Sequence, residues 1–513
     1  MLKVARSSFA CAAMVAMLVV AAEGTVRAGV QNAAGRTNEA TPSKKYTKKT
    51  KKKKTRAIVP LTVIVLPPQS VVQPAVAPVA PIAPSVGELA VPTAPAIAGQ
   101  TLSASRSSGG VRILPTGRPG GVAEVATAGQ LVISEFRVRG PSGAQDEFIE
   151  IYNASGADHT VAAASGTGYG IAASDGVTRC SIPNGTVIPN RGHYLCTNSA
   201  TYSLGSYPAG NGTTATGDAT YTTDIPDNAG IALFNNNTGG GSYILANRLD
   251  AVGSTSEANV IYKEGAGYPA LTPFSIDYSF YRDNCGKGGS ITTLGACPSG
   301  GLPVDTDNNA SNFVFVDTNG TSAGAGQRLG APGPENLSSP IQRNANFAAN
   351  LLDATVPAAN PPNRVRDFTS DPANNSTFGT LSIRRRFVNN TGGNVTRLRF
   401  RIVDQTTFPA PSGIADLRAR TSVAVVVAGI NDSATCLATG SPAVPPCTAT
   451  VQGTTLEQPP TQPNGSAFNG SMSAGTVTLG TPLANGASIN LQFLLGIQQT
   501  GSFKFFINVE ALP

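Results

Sequence analysis

Serine and histidine are the residue types of this chain that prompt a search for nucleophilic catalysis. The run GTSAG at residues 320–324 has the form of a nucleophile elbow, with Ser322 at its centre. That motif needs a sharp turn from a strand into a helix and a histidine within hydrogen-bond reach. No helical pattern follows it, and the two histidines, His159 and His193, fall in stretches that look like loops. We therefore attribute the match to Gly- and Ser-rich composition and predict no catalytic residues.

Oxygen-bearing side chains alternate at Asp305, Asp307 and Asn309, as they do at the start of a calcium-binding loop. The position that needs glycine holds Ala310, and the twelfth position holds Val316, so the segment is not an EF-hand. An Asx-rich turn between strands is the interpretation that we favour. A cation bound here would have a structural role. We predict no metal cluster and no cofactor.

Charged side chains on the predicted strands are interpreted as structural. Glu135, Glu147 and Glu150 could be paired carboxylates for hydrolysis, but strand alternation puts Glu147 and Glu150 on opposite faces. Arginines alternate along a C-terminal hairpin, where they could hold phosphates or acidic glycans. These are Arg384, Arg386, Arg397, Arg399 and Arg401. We favour an ordinary solvent-exposed sheet face, on which arginine stems cover apolar surface and discourage edge pairing.

Six of the seven cysteines form three pairs that are close in sequence. We predict disulfides between Cys180 and Cys196, Cys285 and Cys297, and Cys436 and Cys447. Local pairing, each bond closing one loop or hairpin, is the simplest arrangement in an oxidising compartment. Each bond would stabilise the fold by about 3 kcal/mol. A metal site is disfavoured because no pair has CxxC spacing.

The first 28 residues predict an export signal. Lys3 and Arg6 precede an apolar stretch at residues 9–22, and Ala28 ends a small-residue cleavage site. An uncleaved anchor is the alternative, although the stretch is shorter than the roughly 20 residues that span a bilayer. We expect a secreted or cell-surface protein with no membrane span after the signal is removed.

Residues 29–120 predict a disordered spacer. A Pro-rich stretch, PAVAPVAPIAPSVGELAVPTAPAIAG, favours an extended, polyproline-like stalk. Before it lies a basic run, which either binds an anionic surface or nucleic acid by counterion release or is a solvated tail. Its charges are Lys44, Lys45, Lys48, Lys49, Lys51, Lys52, Lys53, Lys54 and Arg56. From Ala57 onward 24 basic residues face 28 acidic ones, so the +7 net charge of the chain belongs to this tail.

Beyond residue 120 the sequence predicts an all-β fold. Short runs of β-branched and aromatic residues alternate with polar ones, and clusters of Gly, Asn, Ser and Thr separate them. In LVISEFRVRG, the side chains of Val132, Phe136 and Val138 are predicted to share one face, and in DEFIEIYNAS those of Ile149 and Ile151 do. Many short strands with frequent turns are typical of a β-sandwich.

The run LVISEFRVRGPSGAQDEFIEIYNASG, at residues 131–156, resembles the opening of the lamin-tail domain. That domain is an immunoglobulin-like β-sandwich found in nuclear lamins and, in many bacteria, in secreted or surface proteins. RLDAVG at residues 248–253 and DTDNNASNFVF at residues 305–315 are similar to the closing part of bacterial versions. The resemblance implies a lamin-tail-like domain over residues 121–336, with Gly/Ser/Thr-rich insertions and a core at about residues 125–262.

A second β-sandwich is predicted over residues 378–513, after a linker at residues 337–377. The run GTLSIRRRFVNNTGGNVTRLRFRIVDQTT has the pattern of a hairpin: Leu381, Ile383 and Phe387 alternate with polar residues before a turn at residues 390–393. Several further strand-like runs follow it. The chain as a whole is therefore expected to carry two sandwiches behind a Lys-rich and Pro-rich stalk.

The function that these features favour is non-catalytic: an extracellular or cell-surface binding or structural protein, such as an adhesive or scaffold module. An anionic envelope polymer, a matrix polysaccharide and extracellular DNA are the candidate partners. An accessory tether for nucleic acid is the first alternative, because similar lamin-tail modules are joined to secreted nucleases in some bacteria. An extracellular hydrolase with an unrecognised site is the second.

Overall fold

The computed structural model describes residues 125–210, 212–270, 275–285, 297, 299–318, 328–457 and 465–513. Over these residues the chain is an all-β protein, as the sequence predicts. The predicted signal peptide (1–28), the spacer (29–120) with its basic run, and Ser322 lie outside the described residues. The described residues belong to one compact unit.

The first sandwich consists of short strands joined by turns. Its strands are β1 (Leu131–Arg137), β2 (Phe148–Asn153), β3 (His159–Thr160), β4 (Gly168–Ala173), β5 (Thr178–Pro183), β6 (Val187–Ile188), β7 (His193–Asn198), β8 (Ala219–Tyr221), β9 (Ile231–Phe234), β10 (Arg248–Val252), β11 (Tyr278–Arg282), β12 (Phe313–Asp317) and β13 (Arg328–Leu329). Helix α1 (Asn309–Asn312) precedes β12, and 3-10 turns occupy Leu204–Ser206, Gly240–Ser242, Leu245–Asn247 and Val260–Tyr262. A seven-stranded sheet has the order β13-β12-β11-β1-β2-β7-β8, and a four-stranded sheet has the order β10-β9-β4-β5.

The core of the first sandwich lies between these two sheets. Ile149 and Ile151 both point into it, as predicted. In β1 the alternation fails, because a β-bulge between Ile133 and Glu135 adds one residue to the strand. Ile133 and Phe136 therefore enter the core together, whereas Val132, predicted on their face, pairs with Tyr152 on the other one. The core also extends past the predicted limit at residue 262, since β11 and β12 contribute aromatic side chains to it.

The second sandwich follows directly. Its strands are β14 (Ile341–Gln342), β15 (Phe347–Leu351), β16 (Arg364–Asp367), β17 (Thr380–Asn389), β18 (Arg397–Gln405), β19 (Asp416–Arg420), β20 (Val425–Ile430), β21 (Cys447–Val451), β22 (Thr455–Leu456), β23 (Ser471–Ser473), β24 (Ser488–Gln499) and β25 (Phe505–Leu512). Helix α2 (Ser433–Thr439) lies between β20 and β21, and 3-10 turns occupy Asn344–Asn346 and Pro372–Asn374. The β18 sheet has the order β14-β25-β18-β23-β22, and the β17 sheet has the order β15-β17-β24-β19, with β16 also paired to β17.

The segment predicted as a linker, residues 337–377, contributes strands to both sheets of the second sandwich. β14 pairs with β25, and both β15 and β16 pair with β17. The structure therefore places the start of this sandwich before residue 378. Phe387, Phe400 and Phe493 form the centre of its core, with ring centroids 5.0 Å apart for Phe387–Phe400 and Phe400–Phe493.

The polar faces of two sheets meet where the sandwiches join. Strand alternation puts Arg399 and Arg401 on the face of the β18 sheet opposite its core, as the sequence predicts. That face was expected to be exposed to solvent, but Arg399 is 1% exposed and Arg401 is 2% exposed, because the first sandwich covers it. Arg386, in β17 of the other sheet, is buried away from this joint, and its Nε donates to Thr435 of α2 at 3.0 Å. Arg384 and Arg397 are half-buried.

The structure contains all three predicted disulfides. Two of them are local: Cys285–Cys297 lies after β11, and Cys436–Cys447 ties α2 to β21. Cys180 and Cys196 do more than close a hairpin, because β5 belongs to the four-stranded sheet and β7 to the seven-stranded sheet. This disulfide therefore crosses the core of the first sandwich.

Candidate functional site

A cluster of buried charged groups fills the joint between the two sandwiches. We call it the junction cluster. Its members are Glu135, Glu150, His193, Glu335, Arg399, Arg401 and Glu510, all at most 9% exposed. The first three belong to the seven-stranded sheet, Glu335 belongs to the segment that connects the sandwiches, and the last three belong to the β18 sheet. No single sandwich contains the whole cluster.

Strand register brings the first-sandwich members together. Glu135 and Glu150 are directly opposed across β1 and β2, and Tyr152 is opposed to His193 across β2 and β7. Side chains at Glu150 and Tyr152 share a face because they are two residues apart. The bulge in β1 turns Glu135 to that same face. Two carboxylates and an imidazole therefore project from one patch of the sheet.

Glu335 connects this patch to the arginines of the second sandwich. Its Oε1 contacts Nη2 of Arg399 and lies 3.0 Å from Nη2 of Arg401. Its Oε2 lies 3.4 Å from Nε2 of His193. Glu510 completes the arginine shell, with its Oε2 2.7 Å from Nε of Arg399. One carboxylate thus contacts two guanidinium groups on one side and an imidazole on the other.

Glu150 is held by donors from both sides of the joint. Its Oε1 accepts from Oγ of Ser134 at 2.5 Å, and its Oε2 accepts from the backbone N–H of Glu335 at 2.6 Å. Nε2 of His193 lies 3.7 Å from Oε1. Burial raises the pKa of Glu150 well above its ordinary value, and the nearby Glu135 carboxylate raises it further. Burial, Arg401 and Arg399 lower the pKa of His193 well below its ordinary value.

The junction cluster has no arrangement for nucleophilic catalysis. Ser134 donates to Glu150, and the structure gives it no hydrogen bond to His193. The cavity inside the cluster has a volume of about 30 Å³, which is the space of one water molecule rather than of a substrate. This chemistry suits charge neutralisation and ion binding.

An apolar cleft opens along one side of the second sandwich. We call it the arginine cleft. Its volume is about 540 Å³, within the roughly 300–1,000 Å³ of small-molecule sites. Inner-face side chains of both sheets line it, including Ile383, Phe387 and Phe505. A smaller cavity of about 280 Å³ shares Arg364 and Phe503 with it.

Two arginines, Arg364 and Arg385, line this apolar space, and Arg366 lines the smaller cavity beside it. Arg364 and Arg366 of β16 are two residues apart, and their partners in β17 are Ile383 and Leu381, so both arginines share the inward face. Arg385 takes the next inward position of β17. An inner face normally carries apolar residues at such positions, and these guanidinium groups replace them at the mouth of the cleft.

The three arginines contact backbone carbonyls and an aromatic ring. Nε of Arg364 donates to Ala359 O at 3.2 Å, and its guanidinium lies 5.7 Å from the ring centroid of Phe503. Nη1 of Arg366 donates to the backbone O of Thr380, and Nη1 of Arg385 to that of Asn363. Within the part of the chain that the structure describes, none of the three forms an ion pair. Burial lowers the pKa of Arg385, and the positive charge of Arg364 lowers it further.

The predicted cation residues Asp305, Asp307 and Asn309 do not converge. Asp305 joins a second carboxylate cluster with Asp250 and Glu264, whose oxygens lie within 4.8 Å of one another. The Nη1 group of Arg282 lies 3.1 Å from Asp305 and its Nη2 group lies 2.6 Å from Asp250.

Asn309 and Asp307 have other roles. Oδ1 of Asn309 accepts from the backbone N–H groups of Gly253 and Glu264, and its Nδ2 donates to Ala251 O, so this side chain organises three backbone segments. Asp307 is exposed and adopts a left-handed backbone with φ of 52°. The backbone N–H groups of Asp307 and Ala310 donate to Oδ1 of Asp305 and of Asn308, which is the hydrogen-bond pattern of an Asx turn.

Several groups that carry the candidate chemistry are absent from the sequence-based candidates, among them His193, Glu335, Arg364, Arg385 and Glu510. Both histidines lie on strands, not in loops: His159 in β3 and His193 in β7. Glu335 lies outside every predicted strand, and Arg385 sits at an inward strand position within the run Arg384–Arg386. The inward position of Arg385 could have been predicted from the sequence, because the alternation of Leu381, Ile383 and Phe387 defines the core-facing side of the strand.

Comparisons with protein-family profiles, with curated proteins and with solved structures found no match to this chain. Across the described residues, no helix combines the length and hydropathy needed to cross a membrane. The disulfides are typical of proteins that fold in an oxidising compartment.

Proposed function

We propose that this chain is an exported, non-catalytic binding or structural protein of the cell surface or extracellular space. Its first sandwich, in this proposal, is a lamin-tail-like domain, an assignment supported by the LVISEFRVRG and DEFIEIYN runs and by the sandwich in which they lie. Export is supported by the N-terminal sequence and by the three disulfides. The body acts as a rigid scaffold, and the arginine cleft is its ligand site.

The observation that carries the binding role is the combination of an apolar wall with guanidinium groups that lack acidic partners. Apolar and aromatic side chains gain from covering about 540 Å³ of open cleft. Arg364 and Arg385 at its mouth gain from an anion, because their positive charges repel each other and burial has removed part of their hydration. A ligand that satisfies both has an acidic group beside an apolar chain.

The proposed partner is therefore an acidic component of the envelope that carries an acyl-type chain. The residues that line the cleft include no carboxylate, histidine, cysteine, serine or threonine. Binding without turnover follows from that lining. The basic run at residues 44–56 would add a second, nonspecific attraction to the same anionic surface.

A displacement titration tests the cleft as a ligand site. The full chain is titrated with a fluorescent C11 carboxylic acid, which is then displaced with oleate, oleyl alcohol or acetate. Oleate should displace the probe at concentrations at least about tenfold lower than oleyl alcohol, because a charge-assisted hydrogen bond contributes roughly 1.5–3 kcal/mol. Acetate should not displace it at all, since it lacks the apolar chain.

The matched variants change charge without enlarging the cleft. Arg364→Gln/Arg385→Gln should weaken binding of the probe about tenfold or more. Arg139→Gln, which breaks an ion pair with Asp227 on the first sandwich, should leave it unchanged. Equal affinity of wild type and the double variant would reject the cleft as the anion site.

The alternative of a nucleic-acid tether rests on the basic run. A filter-binding titration of DNA at two salt concentrations, with the full chain and with residues 44–56 deleted, separates it from the proposal. Retention of DNA that needs the basic run and falls with salt would support the tether. No retained DNA at low salt would exclude it.

A further inference from the structure

We propose that Glu150, His193 and Glu335 form a metal site for Zn²⁺ or a similar borderline dication, which locks the two sandwiches together. Each residue offers one ligand atom within 4.8 Å of the other two, and the carboxylate oxygens that lie near Nε2 of His193 are Oε1 of Glu150 and Oε2 of Glu335. Two strands of the first sandwich and the connecting segment each supply one ligand. The ion therefore links parts of the chain that are far apart in sequence.

The two distances from Nε2 of His193 to the carboxylate oxygens suit a tetrahedral coordination shell. Nε2 of His193 is 3.4 Å from the Glu335 oxygen and 3.7 Å from the Glu150 oxygen. Zinc binds imidazole nitrogen and carboxylate oxygen at about 2.0–2.2 Å, so two ligands of a tetrahedral site are about 3.4 Å apart. These atoms are too far apart for strong direct hydrogen bonds and close enough to share one ion.

The imidazole of His193 also points to a cation between these groups. Its Nε2 faces two carboxylate oxygens, and its Nδ1, which is buried without a hydrogen-bond partner, would carry the imidazole proton while Nε2 binds the ion. If Nε2 carries no proton, its lone pair is repelled by the negative charge of both carboxylates. If Nε2 carries a proton, the nearest carboxylate oxygens are too far away for a strong hydrogen bond. A metal ion resolves the conflict, because the lone pair and both carboxylates then act as ligands.

The charge of the junction cluster favours a dication. Glu135, Glu150, Glu335 and Glu510 face two buried guanidinium groups, those of Arg399 and Arg401. A third arginine at the rim, Arg191, donates to Oε1 of Gln342 at 2.5 Å. With Arg191 counted, four carboxyl groups share the joint with three guanidinium groups, in surroundings where an unbalanced charge is costly. A dication at the three ligands favours the ionised form of both ligating carboxyl groups.

The second oxygen of each carboxylate is already positioned by the protein. Arg399 and Arg401 contact Oε1 of Glu335, and the backbone N–H of Glu335 donates to Oε2 of Glu150. Such outer contacts hold ligating carboxylates in place. The cavity of about 30 Å³ leaves room for one water as a fourth ligand.

The donor set selects among metals. Calcium takes six to eight oxygen ligands, and magnesium usually keeps several waters. Neither ion fits a site with one imidazole, two carboxylates and a cavity for a single water. Imidazole with carboxylates in a small shell suits zinc. A second cluster in the same chain has only oxygen ligands and no histidine, and it serves as the comparison for metal preference. It is formed by Asp250, Glu264 and Asp305.

Metal content and thermal unfolding of the full chain test this site. Protein is stripped with EDTA, dialysed against micromolar Zn²⁺ and analysed for bound metal, and unfolding is followed with and without zinc. Wild type should retain about one equivalent and unfold several degrees higher at saturating zinc, since a ligand bound only by the folded state stabilises it. His193→Gln should lose both effects, whereas Asp305→Asn should keep both.

A spectroscopic measurement on wild type keeps the test independent of variant folding. Co²⁺ added to stripped protein should give the intense visible absorption of four-coordinate cobalt, and Zn²⁺ should remove it. The proposal is overturned if stripped wild type binds neither ion. It is also overturned if folded His193→Gln retains the zinc.

Discussion

Nδ2 of Asn469 donates a 2.8 Å hydrogen bond to Oε2 of Glu135, a residue 334 positions earlier in the chain. The other oxygen of Glu135 accepts from the backbone N–H of Gly333 in the connecting segment at 2.9 Å. Burial still raises the pKa of Glu135 above its ordinary value. Both oxygens of one first-sandwich carboxylate therefore accept from donors beyond that sandwich, and the joint is held by directed polar contacts.

Arg399→Ala should destabilise the protein by about 3–5 kcal/mol, because it leaves Glu335 and Glu510 buried with one guanidinium group fewer. Arg397→Ala, two residues earlier on the same face of β18, is the control and should cost less than about 1 kcal/mol, since Arg397 is only half-buried. Urea unfolding of both variants measures the difference. Equal losses would contradict a strong role for the junction cluster.

Glu147 should make the stability of the protein depend on pH. Burial raises its pKa from 4.5 to about 8, against the opposing hydrogen bond from Asn198. Since the folded state holds this proton more tightly than the unfolded state, the contribution is complete below pH 4.5 and is lost as the pH rises through 8. Glu147→Gln cannot ionise and should gain several degrees in unfolding temperature relative to wild type between pH 5 and 9. Parallel curves for the two proteins would show that Glu147 does not titrate in this way.

Removal of the cross-sheet disulfide should weaken the first sandwich. The double variant Cys180→Ala/Cys196→Ala should lose about 2–4 kcal/mol of unfolding free energy, chiefly because its unfolded chain is less constrained. Chemical unfolding without reductant measures this loss. An unchanged midpoint would mean that the two sheets are held by their apolar core alone.

Ile383→Trp should fill the arginine cleft without disturbing the fold. The side chain of Ile383 lines the cleft and is only partly buried, so a larger apolar group has space to occupy. We expect binding of the fluorescent C11 acid to fall at least tenfold, while the unfolding temperature changes by no more than about 2 °C. Retained binding in the folded variant would place the probe elsewhere.

The sequence predicts the fold class well because alternation and turn residues are local signals. The same signals fail at β1, where Ser134 occupies a bulge and shifts every preceding side chain to the other face. The start of the second sandwich is also misplaced, since β14, with two residues, is too short to show any period.

The junction cluster could not be predicted from local patterns. Alternation correctly assigns Arg399 and Arg401 to the face opposite the core of their sandwich, but it carries no information about what covers that face. His193 and Glu335 are brought within 3.4 Å by the packing of the connecting segment against the first sandwich, and neither has a sequence neighbour that signals the contact. Arg385 in the arginine cleft differs, because its inward register follows from the strand itself.

The polar lining of the joint also bears on how the chain folds. If the first sandwich folds before the second sandwich is complete, it exposes a patch of carboxylates and an imidazole to water, and not an apolar surface. Such an intermediate stays hydrated and resists aggregation until the second sandwich docks. The desolvation cost of these charged groups arises only when the sandwiches dock, because they then lose water and form their ion pairs and hydrogen bonds.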